Sequence, residues 1–539
     1  MQNPSSDPMT SSTTKHHHRF FSWRTLGLCL IGLAVLVTLI ALFYAEEDWR
    51  GKHAWEKYKR DSESHGVSFD LQKLIPPPVP DDQNFAMTPF LKPVLDLNPR
   101  PFTSSPWRDT NAQQRAQNFG KEIIDHFNTP KPNGDNLAEG RMTDLPVIAS
   151  GVELDQQKST KNKHSKSKTP QEVATNFSRT EAATYLLDYM KRYDPVLDEI
   201  RAASQRPYSR FNVHYDDEDP AGILLPHLGV LRRLANILQV RASAELALGN
   251  TASAFEDFQL LFYLGDSVKD EPIIISQLVR AAIFNTGIQI IWEGLNEHRW
   301  TDAQLQAFQT RLENVSLFKD GEKALQGERI AFGMVFYDYA RKHPEILGNV
   351  WGPGEPTGDI VLLQFAPDGW LYKEQIIQQQ LVQRLIGAFD AEKDLVHPEI
   401  AKSVVASTHD LGGAFSRLIH HESMVPLWMD GIGKYCQKPP FAQNNVNETV
   451  IACALERYRM ANGNYPDNLD ALSPKFLDKI PFDVCTGQPM KYRQTAVGKF
   501  LLYSVGWNEK DDGGTVVMDK QKTRIEDLSE GDWVWPKYP

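Results

Sequence analysis

Between Arg179 and Ile432 apolar residues return at three- and four-residue steps, the period of a helix with one buried face. Leu224, Leu228, Leu231, Ala235, Leu238 and Ala242 stripe one helix that ends near Gly249. A second follows from Ala252 to Leu264, with Ala254, Phe258 and Leu261 inward. Thr301 and Gln304 form a capping box for another, and further helices are predicted over Glu322–Lys342, Trp370–Asp390 and Pro398–Ile432. Gly352, Pro353, Gly354, Pro356 and Gly358 mark a loop between the first two of these. Pro272 to Trp292 is apolar almost all round. A membrane span is the competing reading there, but Arg280 near its centre, with Gln277, Asn285 and Gln289, favours a buried central helix.

The longest apolar run is Thr25 to Ala45, uncharged and about as long as the ~20 residues a helix needs to cross a bilayer. It predicts one membrane anchor. Lys15, Arg19 and Arg24 precede it and Glu46, Glu47 and Asp48 follow. This bias places the N-terminus in the cytoplasm and the bulk of the chain on the extracytoplasmic or periplasmic side of an inner (cytoplasmic) membrane. A cleavable signal peptide is the alternative, disfavoured by the length of the run and by the bulk of Phe43-Tyr44-Ala45. Residues 1–24 read as a disordered cytoplasmic tail, with His16-His17-His18 able to take up metal adventitiously. Residues 46–75 read as a helical stalk with Trp49 and Trp55 near the interface.

Residues 76–178 read as a Pro-rich and basic low-complexity spacer. The prolines from Pro76 to Pro80 favour polyproline II, and 107–155 suggest no more than small strands. Lys158 to Lys168 is a solvated loop, with a contact to anionic lipid or polymer as the sharper alternative. The helical domain then occupies 179–435. From 440 the pattern changes again. Asn445 caps with Glu448 a helix lined by Val446, Val450, Ala454, Tyr458 and Ala461 and ended by Gly463 and Pro466. Short strands follow at Met490–Arg493, Phe500–Val505 and Thr515–Met518, which makes residues 440–539 a small α+β unit behind a mainly α chain.

A chain of 539 residues exceeds one ordinary core, so two or three folded units are expected outside the membrane. The formal net charge of −11 gives no electrostatic footprint for nucleic acid, and no nucleic-acid partner is expected. Cys29 lies in the apolar run. Cys436, Cys453 and Cys485 lack metal-site spacing and leave one disulfide or three buried thiols equally open. G-x-S-x-G, P-loop and H-E-x-x-H signatures are all missing. His409-Asp410 and His420-His421-Glu422 are the nearest approach to a hydrolase site, but His409 and His420 on one helix stand ~16 Å apart, too far for one metal. His-Pro-Glu-Ile recurs at His343 and His397 as helix-entry grammar or a remote internal repeat. Glycosylation acceptors occur at Asn176, Asn314 and Asn447 and matter only in a eukaryotic secretory route.

Two resemblances add to this reading. The helical pair around Leu248-Gly249-Asn250, with Ala254 and Phe258 downstream, resembles one tetratricopeptide-type hairpin without a second copy at the required period. The ordered segments ALERYRMANGNYPDNLDAL, PFDVCTGQPMKYR and FLLYSVGWNEKDDGG resemble the soluble head of the major pseudopilins of type II secretion systems. Tyr458, Gly463, Tyr465, Pro466, Leu469, Leu472, Pro481, Asp483, Gly487, Pro489, Tyr492, Tyr503, Ser504 and Gly506 carry the likeness, over roughly 445–535. The pattern departs at Val484, where the family has proline, and in one extra residue before Gly487. The anchor also lacks the family's acidic residue and ends at Ala45, far from the module's helix, so a fibre subunit is not implied.

The resemblance implies calcium in the loop Gly506–Gly514, held by Asn508, Asp511, Asp512 and Asp532, with Asn508 where the family has an acidic ligand. An ordinary acidic turn is the alternative. The whole chain resembles membrane-anchored bacterial envelope proteins with a pseudopilin-like end. The expected function is a tethered envelope interaction or scaffold protein with protein or envelope partners. An accessory of a type II-like secretion machine, or a hydrolase with dispersed residues around His409–Glu422, are the alternatives.

Overall fold

The computed structural model describes residues 23–99, 105–127, 140–160, 177–215, 220–349, 358–409, 411–496, 498–518 and 526–536. The protein is mainly helical, with 65% helix and 7% strand. It opens on α1 (Trp23–Ser64), which carries the apolar run into the charged segment without a break because no proline interrupts it. The His triplet of the tail lies outside the described residues. The window of α1 that meets a membrane-span criterion is 0% buried in the protein.

The segment expected to be a spacer is instead helical and part of the core. It forms α2 (Thr110–Asn118), α3 (Lys121–Phe127) and α4 (Leu145–Thr160). Phe85, Leu91, Val94, Ile123, Leu145, Ile148 and Val152 are all buried in the same cluster as the central helices. Gly120, at φ +67°, turns α2 into α3. The basic run beyond Thr160 lies outside the described residues.

The centre of the molecule is α5 (Arg179–Met190), α6 (Asp194–Ala203), α7 (Pro226–Ala247), α8 (Thr251–Asp266), α9 (Ile274–Asn296) and α10 (Asp302–Glu313). The expected periodicity holds: Leu228, Leu231, Ala235, Leu238 and Ala242 of α7 and Ala254, Phe258 and Leu261 of α8 are buried. Gly249 makes the turn between them at φ +82°. Helix α9 is the buried central helix that its charge pattern predicts, and Thr301 and Gln304 close both bonds of the capping box on α10.

Next come α11 (Leu317–Ile330), a π-helical turn at Ala331–Val335 and α12 (Phe336–Lys342). They are followed by α13 (Ile346–Asn349), α14 (Gly358–Leu363) and α15 (Asp368–Ile386). The single helix expected over Pro398–Ile432 is three: α16 (Pro398–His409), α17 (Ala414–His420) and α18 (Val425–Tyr435). Gly412 at φ +74° and His421 at φ +59° take left-handed conformations at two of the breaks.

Helix α19 (Lys438–Asn462) begins a full two turns before Asn445, so the expected cap at Asn445 is overturned. Pro439 and Pro440 sit in its first turn, where their missing N–H groups are not needed. Asn445 is interior to the helix, and Gly463 ends it at φ +86°. Helix α19 packs on α9 and α10, and its Val446, Val450 and Leu455 share one core with Phe85 and Trp292. The packing therefore does not part at 435–440.

A two-stranded ribbon, β1 (Phe389–Asp390) with β2 (Leu395–Val396), follows α15. The C-terminal strands are β3 (Lys491–Ala496), β4 (Lys499–Ser504), β5 (Val516–Met518), β6 (Glu526–Gly531) and β7 (Trp533–Val534). They form antiparallel sheets in the orders β3-β4-β7 and β5-β6, so the three expected strands are present with two more behind them. All four cysteines are free, and Cys436, Cys453 and Cys485 are buried thiols.

Candidate functional site

The stalk expected after the apolar run is docked rather than free. From Tyr44 onward α1 lies along α15, running in the same direction. The Tyr44 hydroxyl donates to the Phe365 carbonyl, and four residues later the Asp48 carboxylate accepts the Gly369 amide at 2.9 Å. Pro367 precedes α15 without a side chain that can cap it, so Asp48 supplies the N-terminal cap from another helix. Glu47 adds a second negative charge there, accepting from Lys373 Nζ at 2.6 Å and Trp370 Nε1 at 3.2 Å. The bond from Lys373 holds the Glu47 carboxyl below its usual range, so Glu47 is a carboxylate at neutral pH.

Two glycines make this closeness possible. A Cβ on Gly369 would stand 1.9 Å from the Glu47 carbonyl oxygen, and one on Gly51 would stand 2.3 Å from the Gly369 carbonyl oxygen. Backbone meets backbone there.

Beyond the junction α15 turns a polar face inward. Glu374, Gln375, Gln378 and Gln379 are wholly buried. Two of the glutamines answer the π-helical turn opposite, where carbonyls leave the regular helical ladder. Gln375 Nε2 donates to the Gly333 carbonyl at 3.0 Å and Gln379 Nε2 to the Arg329 carbonyl at 2.8 Å. Arg329 returns a bond to Gln379 Oε1 at 2.8 Å and Arg341 one to Gln375 Oε1 at 3.1 Å. Arg329 also reaches the Ser68 carbonyl and lies 5.0 Å over the Phe69 ring, tying in the chain just beyond α1. Gln378, between them, has neither amide atom bonded.

Glu374 accepts the Ser423 and Met424 amides at 2.7 and 3.1 Å, two donors that the start of α18 would otherwise leave open. Burial nevertheless pushes its carboxyl up to about 8. His421, which closes α17, is 5.1 Å from the Trp370 ring, and burial next to Lys373 drives it down to about 4, so it is neutral at pH 7.

This arrangement is a joint. It binds α1 to the body through buried charge and amide bonds, and among the described residues it offers no paired nucleophile and base. The residues of the hydrolase expectation are dispersed along it: His409 ends α16, Asp410 lies outside the described residues, exposed His420 bonds the Ser416 carbonyl, and His421 faces Trp370. The sequence signal for the joint was the Gln378-Gln379-Gln380 run, which reads as a solvent face. Nothing local marks Gly51 or Gly369 as partners.

The four expected calcium ligands do not form one cage as placed. Asp532 accepts the amides of Asp512, Gly514 and Thr515, and Asn508 Nδ2 donates to Asp512 Oδ2 at 3.0 Å. Asp511 turns instead to the Tyr503 hydroxyl at 2.8 Å and to Lys491 at 3.2 Å. Among the described residues no group of three or more His, Cys, Asp or Glu is placed to hold a metal. No protein-family model, curated protein or solved structure matches the chain.

Proposed function

We propose that the chain is a membrane-tethered scaffold, held by Thr25–Ala45, whose body presents binding surfaces to protein or envelope components. The observation that carries this reading is the docked α1. A flexible tether would let the body tumble, whereas a helix continuous with the apolar run and capped onto α15 holds it in one orientation, as a platform requires. Photo-crosslinking residues at exposed Tyr208 and Met460 of the full chain, in native membranes, test it. Discrete adducts with a second protein are expected. Their absence at both positions, with no partner in repeated pull-downs from gently solubilised membranes, would reject the scaffold.

The charge bias across the apolar run supports an extracytoplasmic body. Protease added to intact spheroplasts should then digest the body, and a body protected until lysis reverses the orientation. The order of α19 before an antiparallel sheet supports the pseudopilin-like reading of 440–539 and, with it, an accessory role in type II-like secretion. Unchanged secretion after loss of the gene removes that role. The tight Gly249 turn between α7 and α8 supports the tetratricopeptide-like hairpin. Calcium needs Asp511 to leave Lys491, so binding by the full chain should raise its Tm only while Asp511 and Asp512 are intact.

A further inference from the structure

We infer that α14, α17 and the loop residue Phe365 form a second membrane contact, a patch seated in the interfacial layer of the bilayer at the foot of the anchor. The inference rests on reading Thr25–Ala45 as a membrane span. Beyond the apolar run, soluble parts of the chain expose few large apolar side chains. Among the described residues four of them gather here: Leu362 (54% exposed), Phe415 (76%) and Ile419 (50%) on two short helices that pack on each other, and Phe365 (70%) in the loop after the first. A bidentate pair of Arg417 with buried Asp359, at 2.9 and 3.1 Å, fixes α17 to α14. Leu363 and Leu418 turn into the core there, which leaves Leu362, and Phe415 and Ile419 one helical turn apart, facing out.

The place of this patch names its occupant. The Phe365 carbonyl accepts from Tyr44, the penultimate residue of the apolar run. At the other end of the patch, His421 closes α17 against Trp370 and lies beside Lys373, the partner of Glu47. The loop that follows α14 therefore meets α1 at Tyr44, and the end of α17 lies against Trp370 and Lys373 of α15, which bind Glu47, at the level where a span of ~20 residues from Thr25 leaves the hydrocarbon. Apolar side chains at that depth meet lipid, not bulk water. Patches of this kind bury aromatic and aliphatic groups at the boundary of headgroups and acyl chains.

The test uses the full chain in vesicles of phosphatidylcholine and phosphatidylglycerol, with a polarity-sensitive fluorophore on one exposed cysteine at a time, Cys436, Cys453 and Cys485 being buried away from the label. Native Cys29 reports on the span itself. On a Cys29→Ser background, Phe415→Cys and Ile419→Cys report on the patch, and Glu256→Cys, exposed on α8, is the control. Labels at 415 and 419 should emit to the blue of the label at 256 and lose most of their emission to lipid with a shallow nitroxide. Labels at 415 and 419 that behave like 256, while Cys29 is quenched by a deep nitroxide, overturn the inference and leave the anchor standing. An unquenched Cys29 overturns the anchor reading and the patch with it. A blue-shifted label at 415 that ignores nitroxide lipid and reverts on dilution assigns the patch to a second copy of the chain and likewise overturns the inference.

Discussion

The bundle of α7, α8 and α9 and the joint of α1, α11 and α15 are both buried, yet opposite means hold them together. In the bundle, aromatic rings do the packing: Phe258 meets Phe262 and Phe308 at 4.4 and 4.6 Å, and Phe262 stacks on Phe284 at 4.7 Å. One buried carboxyl there, that of Glu293, accepts from Thr143, Gln289 and Arg179 together. In the joint, glycine brings backbones together, amide side chains repair a π-helical turn, and one glutamine goes without partners. The bundle is specified by how much apolar surface it hides. The joint is specified by register, because a shift of one residue would part Asp48 from Gly369 and both glutamines from their carbonyls. A contact that must hold two helices at one angle is of the second kind.

Five substitutions sharpen the contrast. Phe258→Ala removes a ring from the middle of the aromatic cluster and should cost ~3–5 kcal/mol by urea unfolding. A loss below ~1 kcal/mol would mean that the bundle does not depend on this packing.

The joint should instead respond to pH through Glu374. Its folded carboxyl titrates near 8 against a usual 4.5, so the native state holds this proton more tightly than the unfolded chain. That contribution is complete below about pH 4.5 and is lost as pH rises through about 8. Wild-type stability should therefore fall by roughly 2–4 kcal/mol between pH 5 and 8 from this group, and Glu374→Gln should flatten the slope. Equal slopes in the two proteins would assign the ionisation elsewhere.

Gly369→Ala improves helix propensity by ~1 kcal/mol yet drives a methyl into the Glu47 carbonyl, for a net loss of about 1–3 kcal/mol. Limited proteolysis should then cut α1 between Glu46 and Ser64 first, and an unchanged cutting pattern would contradict the close approach. The smallest effect has the opposite sign. Gln378→Leu replaces an unbonded buried amide and should leave stability unchanged or raise it by ~1 kcal/mol. Gln239→Leu in the bundle, where the amide donates to Thr143, should lower it by a similar amount.

What was legible in the sequence follows the same division. Helices α7 to α10 could be read because burial imposes a period of 3.6 on Leu, Ala and Phe, and caps such as Thr301 with Gln304 act over three residues. The apolar run was readable from its length and lack of charge, and strands β3 to β5 from short apolar-rich pieces set between turns. Helix α19 was placed too late because Gln443, Asn444, Asn445 and Glu448 are polar and yet buried, so hydropathy hid its first turns. Helices α2 to α4 were missed because short apolar pieces among Pro and Gly bury against distant helices. The joint was invisible for a deeper reason: its partners are 321 residues apart, and glycine announces no partner. At the acidic loop, residue types pointed to oxygen ligands, but only geometry reveals that Tyr503 and Lys491 already claim Asp511.

The cap that Asp48 provides for α15 also sets a clock on synthesis. Asp48 leaves the ribosome first, and the amide it must receive belongs to Gly369, 321 residues later. At about 5–20 residues per second that interval is roughly 15–65 s. Throughout it the Gly51 face of α1 stands uncovered, with Glu47 and Asp48 short of their counterparts in α15. The nascent chain must therefore keep its first helix unclaimed while the residues between Asp48 and Gly369 are made, and the two helices close on each other only after Gly369 has emerged.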